Sequence, residues 1–332
     1  MGYNFITYCL KETPEFYGRD TTNVLAELVV AELVMAKRKL VGCLKKCFYK
    51  VIDYIGAKSL LDEWNYATST HLSKNLWEFI FDELRAKASD AEDADTAKRI
   101  YEARGAYVLQ ERKWRHGDVK NLIAYIEDAA YDESLLLLHI ATELCYQTDV
   151  ARGRQVADER RELSKLLSDY MMYLLVLQPT MMSAVAGIGK IRFQDTSEEA
   201  KKFFVRKGMR LAGKKGKDAV IVTACKSILD VNTDVKPVTV KGDRSKSVLF
   251  DACMLAKELD RFGDEKWEAI SRVWVEMLSY AASHCRPETH AQQVSKGGEL
   301  ITFVWLLMAH FGLGNQFQIN EGHARAKLNV EK

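Results

Sequence analysis

Apolar residues recur at three- and four-residue intervals along most of the chain, which is the spacing of one face of an α-helix. The clearest case lies near the C-terminus, where intervals of 3, 4, 3 and 4 positions separate Trp267, Ile270, Trp274, Met277 and Ala281. A second face of the same segment carries charged residues four positions apart, namely Glu268, Arg272 and Glu276. The pattern predicts an amphipathic helix that buries the first face and exposes the second.

A similar stripe comes just before this helix and consists of Val248, Ala252, Leu255, Leu259 and Phe262. Gly263 and Asp264 separate the two stripes. Glycine is typical of a helix end and aspartate of a helix start, so we predict that Gly263 ends the first helix and Asp264 caps the second. A connection this short favours an antiparallel pair of helices.

Three further segments carry local helix signals. Residues 135–145 are apolar nearly all round, which predicts a helix at the centre of a bundle. Thr196 and Glu199 have the spacing of a capping box, which predicts a helix start at Thr196. A Lys-Ser pair follows Gly242, but the second glycine of a phosphate-binding loop is missing, so we interpret Ser245 or Ser247 as a helix N-cap instead.

The fold class follows from these patterns. The chain has 332 residues and only 4 prolines, and we predict an all-α, multi-helix bundle with mostly antiparallel neighbours and little or no sheet. An acidic stretch of small residues at 89–96 is a candidate linker. It divides the chain into an N-terminal helical segment, residues 1–90, and a C-terminal helical domain, residues 97–332.

Composition indicates a folded protein of a reducing compartment. Hydrophobic residues make up 48% and charged residues 28% of the chain, the balance of a globular protein. The 7 cysteines are scattered and odd in number, which favours free thiols. The most apolar run, residues 300–309, is half the length of a bilayer span, and the first ten residues do not resemble a secretion signal. We therefore predict a cytoplasmic location.

Two segments are purely basic although the net charge is only +2. The first holds Lys37, Arg38, Lys39, Lys45, Lys46 and Lys50 on a predicted cationic amphipathic helix. The second holds Lys201, Lys202, Arg206, Lys207, Arg210, Lys214, Lys215 and Lys217 and ends in a glycine-marked loop. Such segments suit an anionic membrane surface, to which acylation of Cys43 and Cys47 would add an anchor. The alternative is a solvated helix face. Nucleic acid is a weaker partner because aromatic residues are not interleaved with the basic ones.

Two groups of residues could carry chemistry. His284, Cys285 and His290 lie close together around Pro287, and all can ligate zinc, but four ligands are needed and no second pair is nearby. The alternative is that they are satisfied polar side chains that fix a turn. His139 and Glu143 lie one helical turn apart, as in a metal-ligand or acid–base pair, but a histidine in so apolar a helix is more often a core residue hydrogen-bonded to its neighbour. The chain has no nucleophile motif of the G-x-S-x-G type, and we predict no catalytic residue and no cofactor.

Longer strings of sequence resemble a known family. Residues 240–253, 267–278, 283–286, 290–291 and 297–310, with upstream strings at 139–145, 169–175 and 191–196, are similar to the plant family called domain of unknown function 594. We place the family motif at about 240–323. The resemblance implies that relatives usually carry a preceding membrane region, domain of unknown function 4220, and residues 4–10 resemble the stretch just after it. It implies a truncated or soluble member without those membrane spans, and no established activity.

Two hypotheses about function follow. The first is a cytosolic interaction or scaffold domain that binds an unknown protein partner and attaches peripherally to an anionic membrane. The alternative is an enzyme or metal-binding domain organised around His284, Cys285, His290 and Glu299.

Overall fold

Helices build the part of the fold that the structure describes. The computed structural model describes residues 1–13, 66–69, 73–91, 93–111, 114, 119–153, 159–211, 216–232 and 247–314. The helices within these ranges are α1 (Phe5–Glu12), α2 (Lys74–Asp90), α3 (Ala94–Glu102), α4 (Ala106–Glu111), α5 (Val119–Glu127), α6 (Tyr131–Ala151), α7 (Glu159–Leu177), α8 (Gly189–Arg206), α9 (Lys217–Leu229), α10 (Val248–Asp260), α11 (Lys266–His284), α12 (Pro287–Ser295) and α13 (Leu300–His310). No strand occurs in the described ranges, where a single antiparallel bridge joins Gly2 to Thr68. The predicted all-α class without a sheet is confirmed.

Helix α6 lies at the centre of the bundle. Every residue from Leu135 to Cys145 is buried, because helices α5, α7, α9 and α10 pack around it. A helix without a polar face can be covered only in this way, since any exposed side would leave leucines in water. The predicted central position of this segment is confirmed.

Helices α10 and α11 bury the two stripes that the sequence predicts. Ser247 is the N-cap of α10, and its hydroxyl accepts a hydrogen bond from the Phe250 N–H at 3.3 Å. Gly263 adopts a φ of 58° between the two helices, as a helix-ending glycine does. The predicted cap at Asp264 is wrong: a 3₁₀ turn, Gly263–Glu265, runs directly into α11, so no residue there takes the extended backbone that an N-cap requires.

The predicted helix start at Thr196 is also wrong. Helix α8 already begins at Gly189, and the Thr196 hydroxyl donates to the backbone oxygen of Arg192 at 2.8 Å within the helix. Threonine side chains make this bond in helix interiors as readily as they cap helix ends. Glu199, the other half of the expected capping box, accepts a hydrogen bond from Ser247 at 2.7 Å instead.

The charged face of α11 is covered rather than exposed, which corrects the amphipathic interpretation. Glu276 is fully buried and accepts a hydrogen bond from Lys87 Nζ at 2.9 Å. Its carboxylate also accepts hydrogen bonds from the backbone N–H groups of Gly105, Tyr107 and Val108. These donors lie at the N-terminus of α4, where a helix has unpaired N–H groups and a partial positive charge. Glu276 therefore caps a helix that is distant from it in sequence.

Arg272, on the same face, pairs with Glu83 of α2 at 2.8 Å, and both side chains are largely buried. Helices α2, α3 and α4 pack over this side of α11. Charged residues four positions apart therefore mark buried ion pairs here and not a solvated surface.

The N-terminal helices share the core with the rest of the chain. Helix α1 packs against α6, α8 and α9, and α2 packs against α3, α11 and α13. The buried cluster extends from Tyr3 to Leu313. The division at residues 90 and 97, like the antiparallel arrangement of neighbouring helices, stays a prediction.

Replacing Glu276 is expected to destabilise the fold by about 3–5 kcal/mol, because Glu276→Leu leaves three backbone donors and the Lys87 ammonium without an acceptor. Lys87→Met should cost clearly less, since the three N–H groups still satisfy the carboxylate. Urea unfolding of both variants measures the difference.

Glu78→Leu is the matched control, because Glu78 pairs with Lys74 on the surface and its loss should change the free energy of unfolding by only about 0.5 kcal/mol. Equal losses for Glu276→Leu and Lys87→Met would show that the capping of α4 is not what Glu276 contributes.

Candidate functional site

Several predicted site residues lie outside the described ranges. These are the cations Lys37, Arg38, Lys39, Lys45, Lys46, Lys214 and Lys215 and the acylation candidates Cys43 and Cys47. Their predicted roles stay predictions.

The remaining predicted cations lie at the end of α8 and just after it. Lys202, Arg206 and Lys207 are exposed. Lys201 pairs with Glu198 at 3.2 Å and lies over the ring of Tyr8 at 5.2 Å, so part of its charge is used within the fold. Glu198 is exposed like Lys202, so the exposed side of α8 carries acidic as well as basic residues.

Helix α1 packs against both α8 and α9, and each of the three helices carries an exposed or half-buried cation. The Leu211 N–H donates to the Leu10 carbonyl at 3.2 Å, which brings the segment after α8 to the end of α1. Burial and the neighbouring Lys217 ammonium lower the pKa of Lys11, so at least two cations are held close together. We call Lys11, Lys202, Arg206, Lys207 and Lys217 the basic surface.

The residues of the predicted metal site are engaged with the protein. Both ring nitrogens of His290 have partners, Thr302 Oγ1 at 3.1 Å and the Ala282 carbonyl at 3.0 Å. His284 Nδ1 lies 2.8 Å from the Tyr280 carbonyl. Burial raises the pKa of Cys285 to about 11, which keeps its thiol protonated. Within the described ranges no group of three or more His, Cys, Asp or Glu side chains is placed to hold a metal ion. His290 thus joins α11 to α13 as a structural residue.

His139 contacts other helices and not Glu143, which corrects the partner expected from the sequence. Its Nε2 accepts a hydrogen bond from the Phe5 N–H at 3.1 Å, and its Nδ1 lies 2.9 Å from Ser168 Oγ. An Nε2 that accepts from an amide must be unprotonated. Burial lowers the pKa of His139 to about 3, with the charge of Lys165 acting in the same direction. The neutral imidazole therefore joins α1 to α6 and α7.

A buried ionic cluster lies beside this imidazole. Lys165 pairs with Glu143 at 3.0 Å and also with Asp169, and Asn4 Nδ2 donates to Glu143 at 3.0 Å. One ammonium cannot fully compensate two buried carboxylates. Burial, with repulsion from Glu143, raises the pKa of Asp169 to about 6. Burial is also the largest single effect on the pKa of Glu143, but Lys165 and the hydrogen bond from Gln147 together outweigh it and lower that pKa. The cluster fastens the first residues of the chain to the core.

An aromatic cleft of about 330 Å³ opens between α2, α7 and α13. Trp77, Tyr170 and Phe303 contribute one ring from each helix, and the Trp77 and Phe303 rings meet edge to face with centroids 4.2 Å apart. The apolar wall consists of Met1, Leu76, Leu166, Leu167 and Leu300. Concave apolar sites with few polar groups are the usual form of a binding pocket.

Glu299 supplies a carboxylate at the edge of the aromatic cleft. Gly297 and Gly298, with φ values of 108° and 87°, turn the chain between α12 and α13 and place Glu299 immediately before α13. Its side chain makes no capping hydrogen bond to α13. It accepts a hydrogen bond from the Tyr170 hydroxyl at 3.2 Å, and that hydroxyl in turn accepts from the Ile301 N–H at 3.0 Å.

The sequence pattern does not reveal that three aromatic residues line this cleft. Trp77, Tyr170 and Phe303 occupy helical positions and are indistinguishable from core residues by spacing. The available signal was the Gly-Gly-Glu string before an apolar helix.

A second cleft, of about 290 Å³, is acidic. Asp128, Glu133, Asp251 and Glu258 line it with Tyr125. Burial first, and then Asp251 and Glu258, raise the pKa of Tyr125. Glu133 is already paired with Arg192 at 2.7 Å.

Comparison with known proteins identifies the C-terminal part of the chain. Residues 260–313 match the model of a family described as "Protein of unknown function, DUF594". The match begins at the end of α10 and includes α11, α12 and α13, and it confirms the predicted resemblance to this family over these residues. The resemblance of the upstream strings and the preceding membrane region stay predictions. No curated protein and no solved structure matches the chain significantly. The matched segment supplies Glu299, Leu300 and Phe303 to the aromatic cleft.

The pH dependence of stability should reveal the neutral state of His139. In the folded chain the pKa of His139 is about 3, which lies below its ordinary value of 6.5. Between these pH values the imidazole of the unfolded chain therefore binds a proton that the imidazole of the folded chain does not. Stability is therefore fully present above about pH 6.5 and is lost as the pH falls. Relative to His139→Gln, the wild-type free energy of unfolding should fall by up to about 1.4 kcal/mol per pH unit.

Asp169→Asn provides a control of opposite sign. The folded-state pKa of Asp169, about 6, lies above its ordinary value of 3.8, so the wild type should gain stability relative to this variant as the pH falls through that window. Urea unfolding between pH 7 and 4 measures both differences. Parallel curves for the wild type and His139→Gln would contradict a buried neutral imidazole.

Proposed function

We propose that the chain is a protein-interaction domain that docks a partner on the apolar surface between α2 and α13. This α2–α13 surface consists of Trp77, Phe81, Phe303, Leu306, Leu307 and Phe311. Leu306 is 49% exposed and Phe81 is 37% exposed, and the Phe81 and Phe311 rings lie 5.5 Å apart. Contiguous exposed apolar side chains that adjoin a cleft are typical of interaction sites.

The observation that carries this proposal is the continuity between the surface and the aromatic cleft. Trp77 and Phe303 belong to both, so a partner lying along α13 reaches the cleft without a break. Aromatic residues are the side chains most enriched at binding hot spots. Two ionisable groups with strongly shifted pKa values, His139 and Asp169, are instead engaged in holding helices together, which favours binding over catalysis at this site.

We further propose that the chain resides in a reducing compartment such as the cytoplasm. The five described cysteines are all free and buried, as expected where disulfides do not form. No described helix combines the length and the apolar character that crossing a bilayer requires.

Site-specific photo-crosslinking in cells that express the chain tests the docking surface. A photoreactive residue in place of Leu306 should yield a discrete crosslinked product, because this side chain projects from the proposed interface. Ile191 of α8 is the matched control position: it is 56% exposed, and its helix packs against α1, α6, α7 and α10. Crosslinks of equal yield at the two positions, or none at position 306, would contradict the proposal.

Peripheral attachment to an anionic membrane is a second candidate, supported by the proximity of Lys11 and Lys217 on the basic surface. Each cation near the headgroups contributes about 1 kcal/mol. Arg206→Ser with Lys207→Ser should therefore weaken binding to phosphatidylserine vesicles by roughly thirtyfold at low salt. Vesicle flotation measures this change.

Lys74→Ser with Arg85→Ser is the control, because it removes the same charge from α2, where both cations pair with acids on their own helix. If the wild-type chain does not float with these vesicles at low salt, or if the two double variants lose binding equally, the basic surface is not a membrane site.

A further inference from the structure

We propose that the aromatic cleft binds the ammonium group of a lysine side chain carried by the protein partner. The inference rests on the proposed function and adds the chemistry that the partner presents to the cleft. Three features carry it: the rings of Trp77, Tyr170 and Phe303, the carboxylate of Glu299, and the apolar wall between them.

The charge of Glu299 selects a cation. The Tyr170 hydroxyl accepts from the Ile301 N–H, so its own proton is directed to Glu299 Oε2. The donor of this hydrogen bond is neutral, so the carboxylate keeps its full negative charge. In the described part of the chain no lysine or arginine forms an ion pair with Glu299, and the cleft lining, which also includes Met1, contains neither residue type. An anionic ligand would be repelled there, and a purely apolar one would desolvate the carboxylate without replacing its hydration.

The rings add to the same preference. The face of an aromatic ring attracts a cation through its quadrupole, and tryptophan does so most strongly. Trp77 and Phe303 meet edge to face, and both residues line the cleft together with Tyr170. A cation that enters the cleft therefore lies among aromatic rings as well as near the carboxylate.

A lysine side chain matches both parts of this site. Its four methylene groups are apolar and can lie against Leu166 and Leu167, while the ammonium group reaches Glu299. The ligand must also extend beyond the cleft, because the apolar α2–α13 surface continues from Trp77 and Phe303 to Leu306 and Phe311. A polypeptide with a lysine beside apolar residues satisfies both requirements, whereas a free amine or a lipid headgroup satisfies only the first.

Binding of n-butylammonium, which reproduces the end of a lysine side chain, tests the site directly. The chain labelled with ¹⁵N-tryptophan reports binding through the indole N–H resonance of Trp77, assigned with Trp77→Phe. We expect a saturable shift with n-butylammonium and a much smaller one with 1-butanol. Glu299→Gln should raise the dissociation constant at least about fivefold, since the charge-assisted contact is lost.

Glu299→Gln should remain folded, because its amide oxygen can still accept from Tyr170, and its unfolding curve checks this. Glu288→Gln is the matched control: it removes one carboxylate from the first turn of α12, where Glu288 is exposed, and should leave the dissociation constant unchanged. Equal shifts with 1-butanol and n-butylammonium, or an unchanged dissociation constant in Glu299→Gln, would overturn the cation site. Stronger binding of choline than of n-butylammonium would assign the site to a lipid headgroup and would also overturn the proposal.

The crosslink from position 306 separates this inference from the proposed function. If the cleft holds a partner's lysine, Glu299→Gln reduces the yield of that crosslink and Glu288→Gln does not. A full yield in Glu299→Gln would show that the partner docks without the cleft, so the inference fails and the interaction domain stands. Binding of n-butylammonium without any crosslink at position 306 would instead remove the docked partner, and with it both proposals, and leave only an amine-binding cleft.

Discussion

The burial of α6 on all sides is the constraint on which the rest of the structure depends. Its leucines favour the centre of the bundle, but α6 also carries ionisable and polar side chains that water can no longer solvate. Each of its buried acidic and histidine side chains therefore has a partner on another helix. Asp149 accepts hydrogen bonds from Lys266 Nζ at 2.9 Å and from Trp267 Nε1 at 2.8 Å, and Asp132 pairs with Arg192 at 3.1 Å.

These partners fix how the surrounding helices lie against α6. Thr142 accepts a hydrogen bond from the Trp274 indole N–H at 3.1 Å, while Glu143 and His139 hold α7 and the beginning of α1. Unpaired polar groups in a dry core cost several kcal/mol, so alternative packings of the same helices are disfavoured. The polar groups of the interior therefore specify the arrangement, and the apolar stripes supply most of the stabilisation. The groups that remain available to a ligand lie at the edge of the bundle, where α13 and α2 expose aromatic rings beside the Glu299 carboxylate.

The sequence predicted the parts of this fold that depend on local periodicity. The stripes of α10 and α11, the central position of residues 135–145 and a cap at Ser245 or Ser247 could all be recognised, because each depends on neighbours within one or two helical turns. The burial of Glu276 could not be recognised, since its partner Lys87 lies 189 positions away. A charged residue at helical spacing is equally compatible with exposure to solvent. The predicted helix start at Thr196 was wrong because a threonine followed three positions later by a glutamate occurs both in capping boxes and in helix interiors.

Only part of the candidate site could be predicted from the sequence, for the same reason. The family strings drew attention to Glu299 and to His290, but nothing in them shows that Tyr170 and Trp77 come from other helices to complete a cleft. The position of His139 in an apolar helix correctly suggested a core residue, and only the fold shows that its acceptor nitrogen is occupied by the Phe5 N–H. Chemistry built from residues on separate helices becomes visible only when those helices are packed together.

Native-state hydrogen exchange tests the central role of α6 most directly. If α6 is the element around which the others are held, the amides of residues 135–145 exchange only through global unfolding, with a free energy equal to that from urea unfolding, and the amides of α13 exchange through smaller openings. Exchange of residues 135–145 at a lower free energy than that of α13 would contradict this account.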